Sequence, residues 1–435
     1  MKTGLVPFDD MPARTLRMGF EGYAEKIATA LRQADPPCLT VGVFGDYGSG
    51  KTSLMLAIDR YVRQARPDHA DVQNLGPILT VWFHPWRHDH ERYLFLPFLA
   101  TLLRDPDIAK EQFHKESLGT AFRAFLRGLS LKLPWGFELD VEKATRAERE
   151  LAVAEQGQLA RVTSGYTDIT SVLRELTYAE SAKKGTKRFN RRICVFVDDL
   201  DRCLPERAFG LLEAMKAFMD IEGFLFVFGL DPRVIKTYVD RKYGKEFGVG
   251  GEEYLEKLVQ LPFQIPAITE VDLGEVLENL KATLPKKVAE GLVKAKKYLP
   301  PSIRRVKRLL NTHQVIFATS ATPLDPELLL VLLVLQDKWP DVYDSLHRHR
   351  DALCQALTLC LGTGYQKTDF RDDPVASEAR KTMEKMEFRA FFRDVVLPVL
   401  KCMPAGGSIV SYLLLMGKPR DKLAGARGRE RSEGG

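Results

Sequence analysis

The sequence has little of several things, and each shortage removes a class of protein. Its six cysteines stand far apart, at positions 38, 194, 203, 354, 360 and 402. None forms a C-x-x-C pair, so neither a disulfide framework nor a zinc-site spacing is present. Long apolar runs are missing too. The longest, LLLVLLVL at 328–335, falls far short of the ~18–20 residues that a bilayer crossing requires. Asp325 and Pro326 before it read as the N-cap and first residue of a buried helix. The opening stretch MKTGLVPFDDMPARTLRMGF carries acids early and no sustained apolar core, unlike a signal peptide. Net charge is also modest: +6 over 435 residues permits nucleic-acid contact without demanding it, because a patch matters more than a sum. No internal repeat is visible. What remains, with 45% apolar and 28% charged residues, is an ordinary globular composition. The expectation is a reduced, cytoplasmic, soluble chain of two or three domains, or one enlarged domain.

What is present is a pattern of strands and helices in alternation. An amphipathic helix, GYAEKIATALRQA, ends at Pro36-Pro37 and is followed by a strand, LTVGVF, at 39–44. A glycine-rich loop leads into the helix SLMLAIDRYVRQA, and a second strand is apolar through Phe83. Residues 94–104 read as helix. The segment ICVFVDDLDR is the most strand-like in the chain, its five apolar residues suiting a strand buried on both faces. A helix at 206–219 and strands at 224–231 and 260–265 follow. Such alternation predicts an α/β fold with a parallel, helix-covered sheet. The expected organisation is an α/β core at 1–104 and 191–267, a soluble, mostly helical insertion at 105–190, a helical region at 268–416, and a disordered basic tail at 417–435.

The loop itself, Gly45-x-x-x-x-Gly50-Lys51-Thr52 between a strand and a helix, has the spacing of a phosphate cradle. Gly45, Gly48 and Gly50 let the backbone turn and aim its N–H groups inward. The helix start adds its positive dipole end. Asp46, Tyr47, Ser49 and Ser53 complete the expected phosphate-contacting set, with Lys51 reaching the β/γ-phosphates and Thr52 ligating Mg²⁺. Asp198, at the tip of a buried strand, is the expected metal carboxylate, and Asp199 the group that orients or deprotonates an attacking water. A second acid beside the metal ligand favours water over a kinase acceptor as nucleophile. Asp201 and Arg202 either extend this site or pair as a structural brace, and the brace is the favoured reading.

Taken together these residues resemble the KAP family of P-loop NTPases, within the division that includes AAA+ and STAND proteins. The resemblance runs through LRMGFEGYAEKIATAL, VWFHPWRHDHE, VFVDDLDRCLPE, YLEKLVQLPFQIP, IRRVKRLLN and LLLVLLVLQDKWPDVY. It implies an AAA+-like core sheet, ATP with Mg²⁺ as ligand, Gly45, Gly50, Lys51 and Thr52 for phosphate and metal, Asp198 for metal, and Asp199 for catalysis. It also implies a link to bacterial defence. His84 stands where the family commonly has Asn. Many members carry membrane-spanning helices between the loop and the Asp-Asp pair, but here that interval is broken by charge, as in a soluble member.

Several further residues are open. His84, His88 and His90 with Asp89 suggest either a metal cluster or, more simply, an interaction surface or the rim of a site. Trp82 and Trp86 read as packing residues, with Trp86 or Arg87 as alternatives for the cleft wall. Arg304 or Arg305 is a candidate γ-phosphate sensor, the alternative being a solvated basic face. Asp231 either senses nucleotide or caps the turn before Pro232. A neighbour-supplied arginine finger is left open among Arg233, Arg241 and Lys257. The run KKGTKRFNRR at 183–192 reads as a solvated loop, with nucleic-acid contact as the alternative; Phe189 alone is too little for base stacking. The expected partners are ATP, another copy of the chain or a protein partner. The competing functions are an ATP-hydrolysing switch, a slow nucleotide-gated binding module, and a nucleic-acid-stimulated ATPase.

Overall fold

Five short apolar segments, far apart in sequence, form one parallel sheet in the computed structural model. It describes residues 7–9, 11–13, 19–64, 76–91, 94–109, 173–174, 177, 191–243, 250–266, 270–281, 283–321, 323–348, 381–401, 412–413 and 416. The expected helical insertion and basic tail lie almost wholly outside these residues. The strands are β1 (Leu39–Phe44), β2 (Ile78–Phe83), β3 (Arg192–Val197), β4 (Phe224–Leu230) and β5 (Leu261–Gln264), in the order β2-β3-β4-β1-β5. Every neighbouring pair is parallel.

The strand sequences follow from their positions. β3 and β4 are buried at every residue, as unbroken apolar runs require when both faces of a sheet are covered. β5 lies at an edge, pairs with β1 alone and carries an exposed Pro262, tolerated because an edge strand can lack a ladder donor. The period-2 alternation of β4 sends Phe224, Phe226 and Phe228 to one face, their rings 6.3 and 6.1 Å apart, and Leu225 and Val227 to the other. The phenylalanine face packs against α3 (Phe95–Arg104) and α4 (Pro205–Met219), and α5 (Pro232–Tyr243) and α6 (Gly251–Leu258) join the same core. The opposite face meets α1 (Phe20–Gln33) and α2 (Lys51–Gln64) through Ala24, Leu31, Leu54 and Ile58, all at most 1% exposed. Each such leucine or isoleucine side chain contributes about 1.5–3 kcal/mol on burial.

Arg192 corrects the reading of the basic run as solvated. It opens β3 and is 1% exposed, with its guanidinium donating to the carbonyls of Arg32 at 2.6 Å and Gly76 at 3.4 Å. Burial lowers its pKa to about 10. The run's residues 183–190 lie outside the described set.

Residues 12–266 form one unit, and residues 1–11 with 267–435 a second. The second contains α7 (Glu270–Lys281), α8 (Lys286–Lys294), α9 (Ile303–Thr319), α10 (Pro326–Lys338) and α11 (Pro340–Arg348), with a further helical stretch from Met386 to Lys401. α10 is buried from Leu328 to Leu335, as a helix apolar all round must be. Asp325 caps it, accepting from the N–H groups of Glu327 at 2.9 Å and Leu328 at 3.0 Å. Phe8 is pinned to α9 by two hydrogen bonds with the Asn311 amide. No described helix is long and apolar enough to cross a membrane.

Candidate functional site

The glycine-rich loop joins β1 to α2, so its backbone lies at the end of a central strand and the start of a helix. Gly48 has φ +82° and Gly50 φ +97°, conformations that only glycine adopts without strain. The two turns that the sequence assigns to Gly48 and Gly50 are therefore present in the backbone. Gly45 is needed for space instead: a side chain there would stand 2.5 Å from Ser49 Oγ. Lys51 opens α2 and is only 8% exposed. Its ammonium donates to the carbonyls of Gly45 (2.9 Å) and Asp46 (3.2 Å) and pairs with the Asp201 carboxylate at 3.1 Å. The Thr52 hydroxyl donates to Asp198 Oδ2 at 2.7 Å, across 146 positions of sequence.

Strand order explains how these residues meet. β4 lies between β1 and β3, with Gly229 opposite Val43 on one side and next in register to Asp198 on the other. A side chain at 229 would run into Met55 Sδ and stand 2.9 Å from Asp198 Oδ1. Glycine in the middle strand therefore leaves the space that the Met55 side chain and the Asp198 carboxylate occupy.

Asp198 is 1% exposed, and its Oδ1 has no hydrogen-bond partner. Burial pushes its pKa up to about 6, although the Thr52 hydrogen bond works in the other direction. Asp199 stands at φ +62°, the one non-glycine residue with positive φ among the described residues, and it pairs with Arg202 Nε at 2.9 Å. Arg202 lies 5.6 Å from the Tyr47 ring centre and 5.7 Å from that of Trp86, two half-exposed aromatics from different loops. Asp201 and Arg202 thus do not brace each other. Asp201 faces Lys51 and also accepts the Asp231 N–H at 3.0 Å, while Arg202 serves Asp199.

The remaining expected residues are placed as follows. Asp46 pairs with Arg233 at 2.7 Å, and Arg233 in turn grips Asp231. Asp231 accepts the Arg233 N–H at 3.0 Å and so caps the start of α5; burial raises its pKa, but the Arg233 hydrogen bonds bring it below the ordinary carboxylate value. Ser49 Oγ is buried without a hydrogen-bond partner, and Ser53 Oγ accepts from the Ala13 N–H at 3.0 Å. Lys257 pairs with Glu253 one helical turn away. Trp82 packs as expected, stacked 4.8 Å from Phe196 with its indole N–H on Asp59. His88 stacks on Phe83 and His90 contacts Glu91, so the three histidines form no cluster. Instead, one ring nitrogen of His84 and one carboxylate oxygen each of Asp198 and Asp199 lie within 4.8 Å of one another. Burial, with Arg87 nearby, lowers the His84 pKa and keeps the ring neutral at pH 7. Arg304 and Arg305 belong to the second unit, where Arg305 pairs with Asp337 at 2.8 Å.

These residues fit a nucleotide with a hard divalent cation. Thr52 and Asp198 offer oxygen donors, the orphaned Asp198 Oδ1 is a desolvated acceptor awaiting a partner, and the loop with the α2 N-terminus suits phosphate.

The model of the KAP family P-loop domain matches residues 20–319. A curated relative, the phage T7 exclusion protein of Escherichia coli (strain K12), is 23% identical over 319 residues. That alignment covers 71% of this chain and 40% of the relative, so the chain spans about two fifths of the relative's length. Among solved structures, the Aeropyrum pernix ORC1 protein in complex with DNA has a TM-score of 0.37 and 13% identity, over 86% of this chain and 85% of that one. The Aeropyrum pernix ORC2 protein in ADPNP-ADP complexes has a TM-score of 0.37 and 14% identity, over 94% and 87%. With its family match over most of its length, the chain belongs to the KAP family of P-loop NTPase domains.

Proposed function

We propose that this chain binds ATP with Mg²⁺, hydrolyses it, and uses the cycle as a molecular switch. The observation that carries the reading is the 2.7 Å contact between Thr52 and the buried Asp198, with the Lys51 ammonium held in the same loop. In this reading the N–H groups around Gly48 and Gly50 face the phosphates, Lys51 leaves or shares Asp201 to meet the β/γ-phosphates, and Thr52 and Asp198 hold the cation. Bound Mg²⁺ neutralises charge on the phosphates. Asp199 accepts a proton from the water that attacks the γ-phosphorus as the bond to the β–γ bridging oxygen breaks and ADP leaves, once its carboxylate exchanges Arg202 for that water. The sensor role expected for Arg304 or Arg305 is tested by replacing each with Ala and measuring turnover. Adenine is the base assigned; competition by GTP tests it.

The experiment is turnover and nucleotide binding for wild type, Lys51→Ala and Asp199→Asn. Wild-type turnover, an Asp199→Asn rate lower by about 10²–10⁴-fold with ATP still bound, and lost binding in Lys51→Ala are expected. Equal, near-zero rates for wild type and Asp199→Asn with tight ATP binding would replace this reading with the second one. That second reading is a slow nucleotide-gated module that recruits a protein partner or a second copy of the chain. The Arg202–Asp199 pair favours it, because it ties up the catalytic carboxylate. Stimulation of turnover by DNA or RNA at low salt separates out a nucleic-acid-dependent variant. A role in defence is carried over from the relative whose name is phage T7 exclusion protein; phage plating efficiency with wild type and Lys51→Ala measures it.

A further inference from the structure

Thr52 and Asp198 account for the oxygen side of the cation position, but a nitrogen donor stands beside them. His84 directly follows β2, the strand that pairs with β3, and β3 ends at Val197, just before Asp198. Parallel pairing with Phe83 opposite Val197 therefore brings the residues after each strand together: His84 from one, Asp198 and Asp199 from the other. The ladder continues one step further, with the Asp198 N–H donating to the Phe83 carbonyl at 3.1 Å.

The imidazole is held in place. Its ring stacks on Trp82 at 5.9 Å and 21°, and Trp82 is itself fixed by Phe196 and Asp59. The His84 carbonyl accepts the Arg87 N–H at 3.1 Å, which starts a short 3-10 turn from Pro85 to His88. On the other side, Asp198 is fixed by Thr52 and Asp199 by Arg202. The three donor atoms span no more than 4.8 Å. Ligands about 2.0–2.3 Å from a shared ion are roughly 3–4.5 Å apart, so small side-chain rotations close the set.

Such clusters often hold nothing, but this one contains a carboxylate that is 1% exposed and has an unpartnered oxygen. A buried unsatisfied acceptor of that kind costs about 1–3 kcal/mol, which a cation or its bound water would remove. Donor type then decides which cation. Mg²⁺ is hard, keeps its waters and is served by oxygen alone, whereas imidazole suits first-row transition ions, which bind nitrogen more strongly.

We propose that His84 supplies a nitrogen donor at the divalent-cation position of this site, so that the site, besides taking Mg²⁺ with ATP, also holds Mn²⁺ or Co²⁺ through that nitrogen. The proposal rests on the assignment of Asp198 as the cation-holding carboxylate.

The test uses the full chain, Mn²⁺ as the probe, and a non-hydrolysable ATP analogue. Pulsed EPR of bound Mn²⁺ reads ¹⁴N coupling from a coordinated imidazole, and titration gives the Mn²⁺ and Mg²⁺ affinities. Wild type is expected to show the coupling, and His84→Asn to lose it. The Mn²⁺ affinity of His84→Asn should fall by at least about tenfold, and that of Mg²⁺ by less than about threefold. Absence of ¹⁴N coupling in wild type that binds Mg²⁺ and the ATP analogue overturns the nitrogen donor alone, whatever the variant does. Coupling that persists in His84→Asn, or parallel loss of both affinities, overturns it too. Asp198→Ala separates the two levels: unchanged binding of both cations would remove the assignment of Asp198, and this proposal with it.

Discussion

Asp201→Asn should make the empty chain less stable and its ATP binding tighter. The Asp201 carboxylate sits 3.1 Å from the Lys51 ammonium, and both side chains are less than a tenth exposed. At that distance and an effective dielectric of about 20, the gross attraction is about 5 kcal/mol, much of it offset by desolvation of the two charges. Asparagine keeps the shape and an oxygen for the Asp231 N–H, and Lys51 keeps the Gly45 and Asp46 carbonyls. The net loss is then the difference between a charged and a neutral hydrogen bond, about 1–2 kcal/mol. For a unit of this size that lowers Tm by about 2–8 °C. The same change removes a negative charge from beside the phosphate position and releases Lys51, so ATP affinity should rise by about 3–10-fold. Thermal melts of the empty chain and calorimetric titration with ATP measure both. Because the pair is buried, the Tm difference should survive about 1 M salt, where exposed pairs are screened. An unchanged Tm together with weaker ATP binding would refute the reasoning, since it would mean that Asp201 does not hold Lys51 in the empty state.

Asp198 gives a pH dependence. Its folded pKa of about 6 lies above the unfolded value of about 3.9, so the folded state holds the extra proton between those limits. The cation-free chain should lose stability as pH rises from about 4 to about 6 and level off above. Cation affinity, which needs the carboxylate, should weaken about tenfold per pH unit below about 6, measured by Mg²⁺ titration, and Asp198→Asn should reduce the slope. Gly229→Ala should cost about 1–3 kcal/mol, because the new methyl meets Met55 and Asp198, and should weaken cation binding; denaturant melts and the same titration check it. Arg202→Gln removes a partly exposed ion pair worth about 0.5–1 kcal/mol, so turnover should rise by about 2–5-fold with little change in Tm. A drop in turnover would give Arg202 a direct part in the reaction.

The sequence by itself determined the elements and the loop. The run LTVGVF, the apolar stretch before Asp198 and the aromatic FLFVFGL each became a strand, because continuous apolar runs have no stable place except between two helical layers. Asp325 and Pro326 opened a buried helix as their local chemistry required. The spacing of Gly45, Gly48, Gly50, Lys51 and Thr52 is local too, and so was legible; that Gly48 and Gly50 take positive φ while Gly45 does not came from the backbone. Tertiary structure alone decided which distant side chains those strand ends bring together. Asp201 read as a brace for Arg202 because the two are adjacent, yet the order β2-β3-β4-β1-β5 turns it toward Lys51, 150 positions earlier. His84 was one of three nearby histidines until the pairing of β2 with β3 set it beside Asp198 and apart from the other two. Arg192 read as the end of a solvated basic run, but its carbonyl partners come from α1 and the turn before β2. Local patterns record burial and turns along the chain; a site assembled from three strand ends depends on strand order, which leaves no local trace in the sequence.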